Sequence, residues 1–249
     1  MAKSLNALLL GTILFTGASS PAASAQPRAL SETEALDRLE QDLDRAESIE
    51  AVKRLTYMFG YYRDALHYDR ALALFDDNAT FDFANGQYVG KRSIRRLFHS
   101  KRFNAGHRAP GSDGPAILNN HVMMQPVITL GPDGRTARGR FKEFGFEGEQ
   151  GKSQTYIISM YENDYVRDAA HGWRIKAVRH CFRFNAPYDM AAKDLPEPPP
   201  YSPLPAFFPK DAEGPDRQIS YHCHVYPDVG INPPFHFTHP VTGENISKP

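Results

Sequence analysis

The chain has 249 residues, 41% of them hydrophobic, and its 29 basic and 29 acidic side chains cancel to a formal net charge of zero. A chain of this size builds one substantial core, or one core with a long appendage, rather than two full domains. The balanced charge offers no field to gather nucleic acid or an anionic membrane, so both are excluded as partners and a small-molecule ligand fits better.

Residues 1–25 have the order of a secretory signal peptide: Lys3, an apolar run from Leu8 to Phe15, and the small-residue site Ala23-Ser24-Ala25. The run is well short of the roughly 20 residues that a membrane-spanning helix needs. Cleavage near Ala25 and a periplasmic or secreted protein are expected. In an oxidising compartment Cys181 and Cys223, the only cysteines, can pair or stay separate as buried thiols.

From Ser31 a capping residue and an acidic first turn precede Leu36, Leu39, Leu43 and Ala46 at helical spacing, and the pattern runs on through Ile49, Val52 and Leu55 towards Tyr61 and Asp64. A break near Glu47-Ser48 would give two helices. A short helix over 69–75 follows. The alternation in 79–83 predicts a strand, 86–90 a short extended piece, and Ser93 the cap of a further helix. The Gly- and Pro-rich stretch 103–115 has no period and reads equally as a lid or a surface connection. Two hairpins come next, 121–130 with 135–146 around Gly131-Pro132-Asp133-Gly134, and 154–168 with 172–184 around 169–172. Helices first and a meander of long strands afterwards predict an α+β domain over 26–185, a curled antiparallel sheet closing over its helices.

Beyond Asn185 prolines and aromatics dominate, predicting an extended tail over 186–249. Phe207, Phe208, Phe235 and Phe237 make it too apolar for a solvated linker, so it is expected to lie on the domain or on a neighbouring subunit. His222, Cys223, His224, His236 and His239 are a ligand-rich set whose spacing matches no specific zinc or copper site. There is no phosphate-binding glycine loop, nucleophile elbow or dinucleotide fingerprint. The expectation is no metal and no cofactor.

The stretch YYRDALHYDRALALFDDNATFDF, then NHVMMQPVITLGPDGRTARGRF, then a strand opening with GWRI, resembles the SnoaL-like branch of the nuclear-transport-factor-2-like superfamily. Scytalone dehydratase, bile-acid dehydratases, ketosteroid isomerase and polyketide cyclases belong to that group. The resemblance covers 47–184 and implies a conical α+β barrel around a cavity. In the dehydratases a cavity aspartate stands five residues before the aspartate of a Trp-Asp or Tyr-Asp pair, which makes it Asp64, before Tyr68-Asp69. A histidine opening the first long strand faces it, which makes it His121. Phe59 occupies the place of the family's tyrosine. Tyr57 and Tyr61, seven and three residues before Asp64 on the same helical face, are the alternatives.

Physical chemistry points the same way. An aspartate on the inward face of a tyrosine-rich helix loses solvation, which raises its pKa, and a nearby histidine can exchange a proton with it. On a solvated face Asp64 would instead pair with Arg63, Arg54 or His67. Alternation in RTARGRFKEFGF puts Arg138, Arg140, Lys142, Phe144 and Phe146 on one face and Ala137, Gly139, Phe141 and Gly145 on the other, and either set could be inside. Arg140 and Lys142 are candidates to hold an anionic substrate oxygen. His180 and Arg183 sit near the end of the last strand, at the mouth of a cone of this kind. With Phe59, His180 completes the substrate-binding candidates.

The expected function is a cofactor-independent lyase working by general acid–base catalysis on a hydroxylated aromatic or cyclic small molecule. Dehydration and retro-aldol release of formaldehyde are its two forms. The aromatic tail on an exported core resembles the γ-formaldehyde lyases acting on lignin-derived diaryl compounds. An isomerase or cyclase using the same residues, or a non-catalytic protein binding an apolar ligand, are the alternatives. A homo-oligomer, dimer or trimer, is expected.

Overall fold

A computed structural model describes residues 30–101, 103, 117–170, 172–189, 206–219 and 233–246. The signal-peptide segment, most of 103–115, and His222, Cys223 and His224 lie outside these. Among the described residues no helix is long and apolar enough to cross a membrane. Of the described residues, those up to Leu39 belong to one compact unit and those from Glu40 onward to another. The first is helical from Glu32 and opens on a capping box: the Ser31 N–H donates to Glu34 Oε2 (2.8 Å) and the Glu34 N–H to Ser31 Oγ (3.3 Å).

Helix α1 runs unbroken over Glu32–Asp64, in place of the two helices expected. Glu47 and Ser48 carry no backbone penalty large enough to end a helix. Ser48 instead opens a buried stripe, continued by Val52, Thr56, Phe59, Gly60 and Arg63, that holds the second half of α1 in register with the core. The helix stops in a Schellman turn. The His67 N–H reaches the Tyr62 carbonyl (2.7 Å) and the Leu66 N–H reaches that of Arg63 (3.0 Å), with Leu66 in the left-handed region (φ 56°).

Helix α2 (Tyr68–Ala73) leads into strands β1 (Phe75–Phe83) and β2 (Gly86–Val89) and helix α3 (Gly90–Phe98). Ser93 is not the cap of α3; it is buried within it. Asp216 from the C-terminal segment serves the N-terminus instead, accepting from the Val89 N–H (2.8 Å) and from Arg96 Nη2 (2.9 Å). Four long strands complete the domain: β3 (Ile117–Leu130), β4 (Thr136–Glu149), β5 (Ser153–Asp168) and β6 (Gly172–Pro187). With the short β7 (Arg217–Gln218) they form a seven-stranded sheet in the order β3-β4-β5-β6-β1-β2-β7.

The sheet is not purely antiparallel. β1 pairs with β6 in parallel, a pairing reached only after the chain has passed through β2, α3 and the strands β3, β4 and β5. The sheet stays open, with β3 as one edge. Edge position explains the proline in HVMMQP: Gln125 takes a positive φ (49°) and the β3–β4 register shifts between Met124 and Val127, a bulge a central strand would not tolerate.

One face of the sheet packs on α1, α2 and α3 around the rings of Phe59, Phe75, Phe81 and Phe98, whose centroids lie 5.6–6.2 Å apart. On β4 the inward set is Ala137, Gly139, Phe141, Glu143 and Gly145, while Arg138 and Lys142 stay exposed on the other face. Cys181 is buried on β6 and disulfide-bonded; Cys223, the other cysteine of the chain, lies outside the described residues.

Candidate active site

The C-terminal turn of α1 meets the edge strand β3, and two glycines set the distance. A Cβ on Gly60 would come 3.3 Å from Met123 Cγ, so glycine there lets the helix lie close to the strand. Gly145, the β4 partner of His121 across the ladder, leaves the space that the imidazole fills. A Cβ at Gly145 would sit 2.8 Å from His121 Cδ2 and 3.4 Å from the Asn120 carbonyl oxygen. The ring is clamped at both nitrogens and cannot step aside. Gly145→Ala is therefore expected to lower stability by about 1–3 kcal/mol in urea denaturation and to displace the His121 ring resonances in NMR spectra.

Asp64 and His121 are joined by two contacts. The carboxylate lies 2.6 Å from His121 Nδ1 through Oδ1, and Oδ2 accepts the His121 backbone N–H at 2.9 Å. An ionised aspartate in the last turn of a helix faces the negative end of the helix dipole. These two contacts offset that cost and fix both oxygens. The Asp64 side chain is 18% exposed and that of His121 is 0% exposed, so the carboxylate is the face of the pair that solvent reaches.

A cleft of about 290 Å³ opens onto that face, lined by Tyr57, Tyr61, Asp64, Asn120, His121, Val122 and Met123. Four sequence-predicted residues thus meet there: Asp64, His121, Tyr57 and Tyr61. Tyr57 is half-buried with its ring edge-on to Phe141 at 6.3 Å, and Tyr61 is 71% exposed at the rim.

Behind the pair lies a buried charged network. Arg63 Nη2 is 2.9 Å from His121 Nε2, and Arg63 Nη1 donates to Glu143 Oε1 (2.7 Å) and to the Tyr161 hydroxyl (3.0 Å). Glu147 Oε1 lies 3.1 Å from His121 Nε2, and His180 Nε2 is 3.2 Å from Glu143 Oε2. The Phe103 ring covers the guanidinium at 5.5 Å. Arg63 is not on the solvated face considered from sequence; its charge is held inside by carboxylates.

The remaining candidates lie elsewhere. His180 belongs to the network, one carboxylate away from Arg63, stacked on Phe83 at 5.8 Å. Phe59 is a core ring, 2% exposed. Arg140 points to the opposite face of the sheet, where it donates to Glu162 Oε2 and the Pro233 carbonyl (both 2.9 Å) beneath Phe235. His236 joins it there by bonding Glu162. Lys142 is exposed on that same face. Strand alternation is the physical reason that neither cation reaches Asp64. Arg183 is on β6, half-buried. Among the described residues no group of three histidine, cysteine, aspartate or glutamate side chains is arranged to hold a metal ion.

The network tunes the two histidines in opposite directions. Burial and the Arg63 charge push the His121 pKa down, but Asp64, Glu147 and Glu143 outweigh them and it ends above the usual value. Burial lowers that of His180 despite Glu143. Burial disfavours the charge on Glu143 as well, yet Arg63 and the two histidines hold it well below the usual carboxylate range.

A raised folded-state pKa means that the His121 imidazolium stabilises the fold fully below the unfolded value of about 6.5, and that this contribution fades as pH rises through the folded value. The unfolding free-energy gap between wild type and His121→Gln is expected to narrow as pH rises from the unfolded value of about 6.5 through the higher folded-state value. A gap that widened on urea titration would refute a charged His121.

Four residues of this network, Arg63, Glu143, Glu147 and Tyr161, were not among the sequence candidates. Arg63 was findable, because it falls four residues after Phe59 on the buried stripe of α1. Glu143 and Glu147 fall on the inward alternation of β4 with Phe141 and Gly145.

A model of the SnoaL-like domain matches residues 44–179. Among solved structures, hexachlorocyclohexane dehydrochlorinase LinA-type3 from Novosphingobium barchaimii LL02 superposes with a TM-score of 0.51 at 17% identity, over 59% of this chain and 94% of that one. A type 2 LinA dehydrochlorinase gives a TM-score of 0.51 at 18% identity, over 63% and 98%. A protein of Novosphingobium aromaticivorans provisionally described as a scytalone dehydratase gives 0.49 at 14% identity, over 59% and 92%. Likeness to the two dehydrochlorinases at such identities establishes a shared fold and nothing more. No curated protein matches the chain significantly.

Proposed function

The chain belongs to the SnoaL-like family, and on that premise we propose that it is a lyase that eliminates water from a hydroxylated aromatic or cyclic small molecule by acid–base catalysis. The observation that carries the reading is the 2.6 Å contact between Asp64 and His121 at the inner wall of the cleft. Asp64 is the base. Its carboxylate takes a proton from the carbon beside the leaving hydroxyl, and the His121 N–H groups behind it steady the charge before and after transfer. The same proton then goes to the departing oxygen, so water leaves and no net proton is consumed.

Tyr57 and Tyr61 line the same cleft and polarise that oxygen by hydrogen bonding while Asp64 returns the proton to it. A volume of about 290 Å³ accommodates one substituted ring, with any larger group projecting past the exposed Tyr61. A hydroxymethyl substrate would use the same base on its O–H: the C=O of formaldehyde forms as the adjacent C–C bond breaks, its electron pair stays on the carbon left behind, and Asp64 returns the proton to that carbon. The proposal keeps the protein exported, with its leader removed near Ala25, and assembled as a homo-oligomer.

The test is incubation of the purified protein with hydroxylated aromatic and cyclic compounds, following water loss by product mass and formaldehyde by trapping. Turnover of either kind, abolished in His121→Ala, is the expected result. Saturable binding of these compounds with no conversion would overturn the lyase reading in favour of a binding protein.

A further inference from the structure

His121 Nε2 has two partners with opposite requirements. Arg63 Nη2, at 2.9 Å, can only donate, and so suits an unprotonated Nε2. Glu147 Oε1, at 3.1 Å, can only accept while ionised, and so suits an Nε2–H. Both cannot be satisfied at once, so the two contacts belong to two protonation states of one ring. In the neutral state Nδ1–H donates to Asp64 and Nε2 accepts from Arg63. In the charged state Nδ1–H still donates to Asp64 and Nε2–H donates to Glu147.

Exposure separates the partners further. The side chains around Nε2 are 9% exposed for Arg63 and 1% for Glu143, against 29% for Glu147. Resting on the reading of Asp64 and His121 as the acid–base pair, we propose that Glu147 is the positioning residue through which solvent loads and unloads the His121 proton, Arg63 taking over Nε2 when the proton has gone. The step is a simple transfer. Nε2–H gives its proton to the Glu147 carboxylate, which passes it to water, and the freed lone pair accepts an Arg63 N–H.

The charges around the ring support this. Asp64 and Arg63 face it from α1, and Glu143 and Glu147 from β4. Tyr161 on β5 and His180 on β6 bond the same Arg63 and Glu143. Tyr68 on α2 stays protonated, its pKa pushed up by burial to about 12. One guanidinium thus stands among three carboxylates, and a proton on His121 offsets half of the negative excess. Gly145 makes the arrangement possible by leaving the ring its place across the ladder.

The experiment is nitrogen-detected NMR titration of His121 in the full-length protein without substrate, for wild type, Glu147→Gln and Glu147→Asp. Wild type is expected to lose the Nε2 proton and keep Nδ1–H. In Glu147→Gln the midpoint should fall by about one unit or more, and exchange of the imidazole N–H with water should slow. Glu147→Asp should recover part of both. An unchanged midpoint in Glu147→Gln, or a neutral state protonated at Nε2, would overturn the proposal. The titration needs no turnover, so it fails or stands apart from the lyase reading. Once a substrate is in hand, the pH–rate profile of Glu147→Gln should shift by the same amount as the NMR midpoint.

Discussion

Asp64→Asn is expected to cut turnover by about 10²–10⁴-fold with the fold intact. The replacement keeps shape and removes charge, but its larger effect is on the ring behind it. The Asp64 carboxylate now accepts twice, from the His121 backbone N–H (2.9 Å) and from Nδ1 (2.6 Å). An amide has one oxygen to offer. If that oxygen keeps the backbone N–H, which is always a donor, the amide nitrogen faces Nδ1 and must donate to it. His121 is then forced into the tautomer protonated at Nε2, where Arg63 already presents a donor at 2.9 Å. Both the base and the orientation of its partner are lost in one substitution. Circular dichroism and urea denaturation close to those of wild type would separate this chemical loss from unfolding.

Glu143→Leu is expected to have the largest effect on stability, lowering it by about 3–5 kcal/mol. Glu143 is 1% exposed and bonds Arg63 at 2.7 Å and His180 at 3.2 Å. Removing it takes from the buried guanidinium its shortest ion pair, leaving Glu147 at 3.7 Å. Removing both charges costs less than removing one, because the desolvation penalty of the survivor disappears with it. The double variant Arg63→Met/Glu143→Leu should therefore be more stable than Glu143→Leu alone, and losses that simply add would refute this account of the network. The pH dependence has a definite sign. Since the folded-state pKa of Glu143 is depressed, its contribution is present above the unfolded value and is lost only as pH falls through the folded one, below the usual carboxylate range. Wild type should accordingly resist acid unfolding that Glu143→Gln does not.

The elements that follow local rules were legible in the sequence. The Gly131-Pro132-Asp133-Gly134 turn, the long alternating strands and the amphipathic start of α1 each announce themselves over a few residues. Three features were not, and each depends on partners distant in sequence. The unbroken α1 follows from packing of the stripe from Ser48 to Arg63, which no local signal at Glu47-Ser48 records. The start of α3 is governed by Asp216, more than a hundred residues away, and so Ser93 misleads as a cap. The parallel pairing of β1 with β6 is a property of topology alone.

The site divides in the same way. Asp64 and His121 were picked out by their resemblance to the family's pattern, and Tyr57 and Tyr61 because helical spacing ties them to Asp64. Arg140 and Lys142 were chosen for charge, while alternation along β4 decides which face a charge takes. Applied to Glu143 and Glu147, the same alternation points inward, to the carboxylates that hold Arg63 and the Nε2 side of His121. A buried ion network at the end of a helix is a costly departure from ordinary packing. Its position directly behind a cleft-facing carboxylate ties that cost to the site.

Whether Asp64 and His121 act as one unit is read from a double-variant cycle on turnover. With a converted substrate in hand, Asp64→Asn, His121→Ala and the double variant are compared with wild type by kcat/KM. Residues that work as a unit give strongly non-additive losses, so the double variant is predicted to be no more than about threefold slower than the slower single variant. Losses that multiply, or single variants that keep full turnover, would contradict the account.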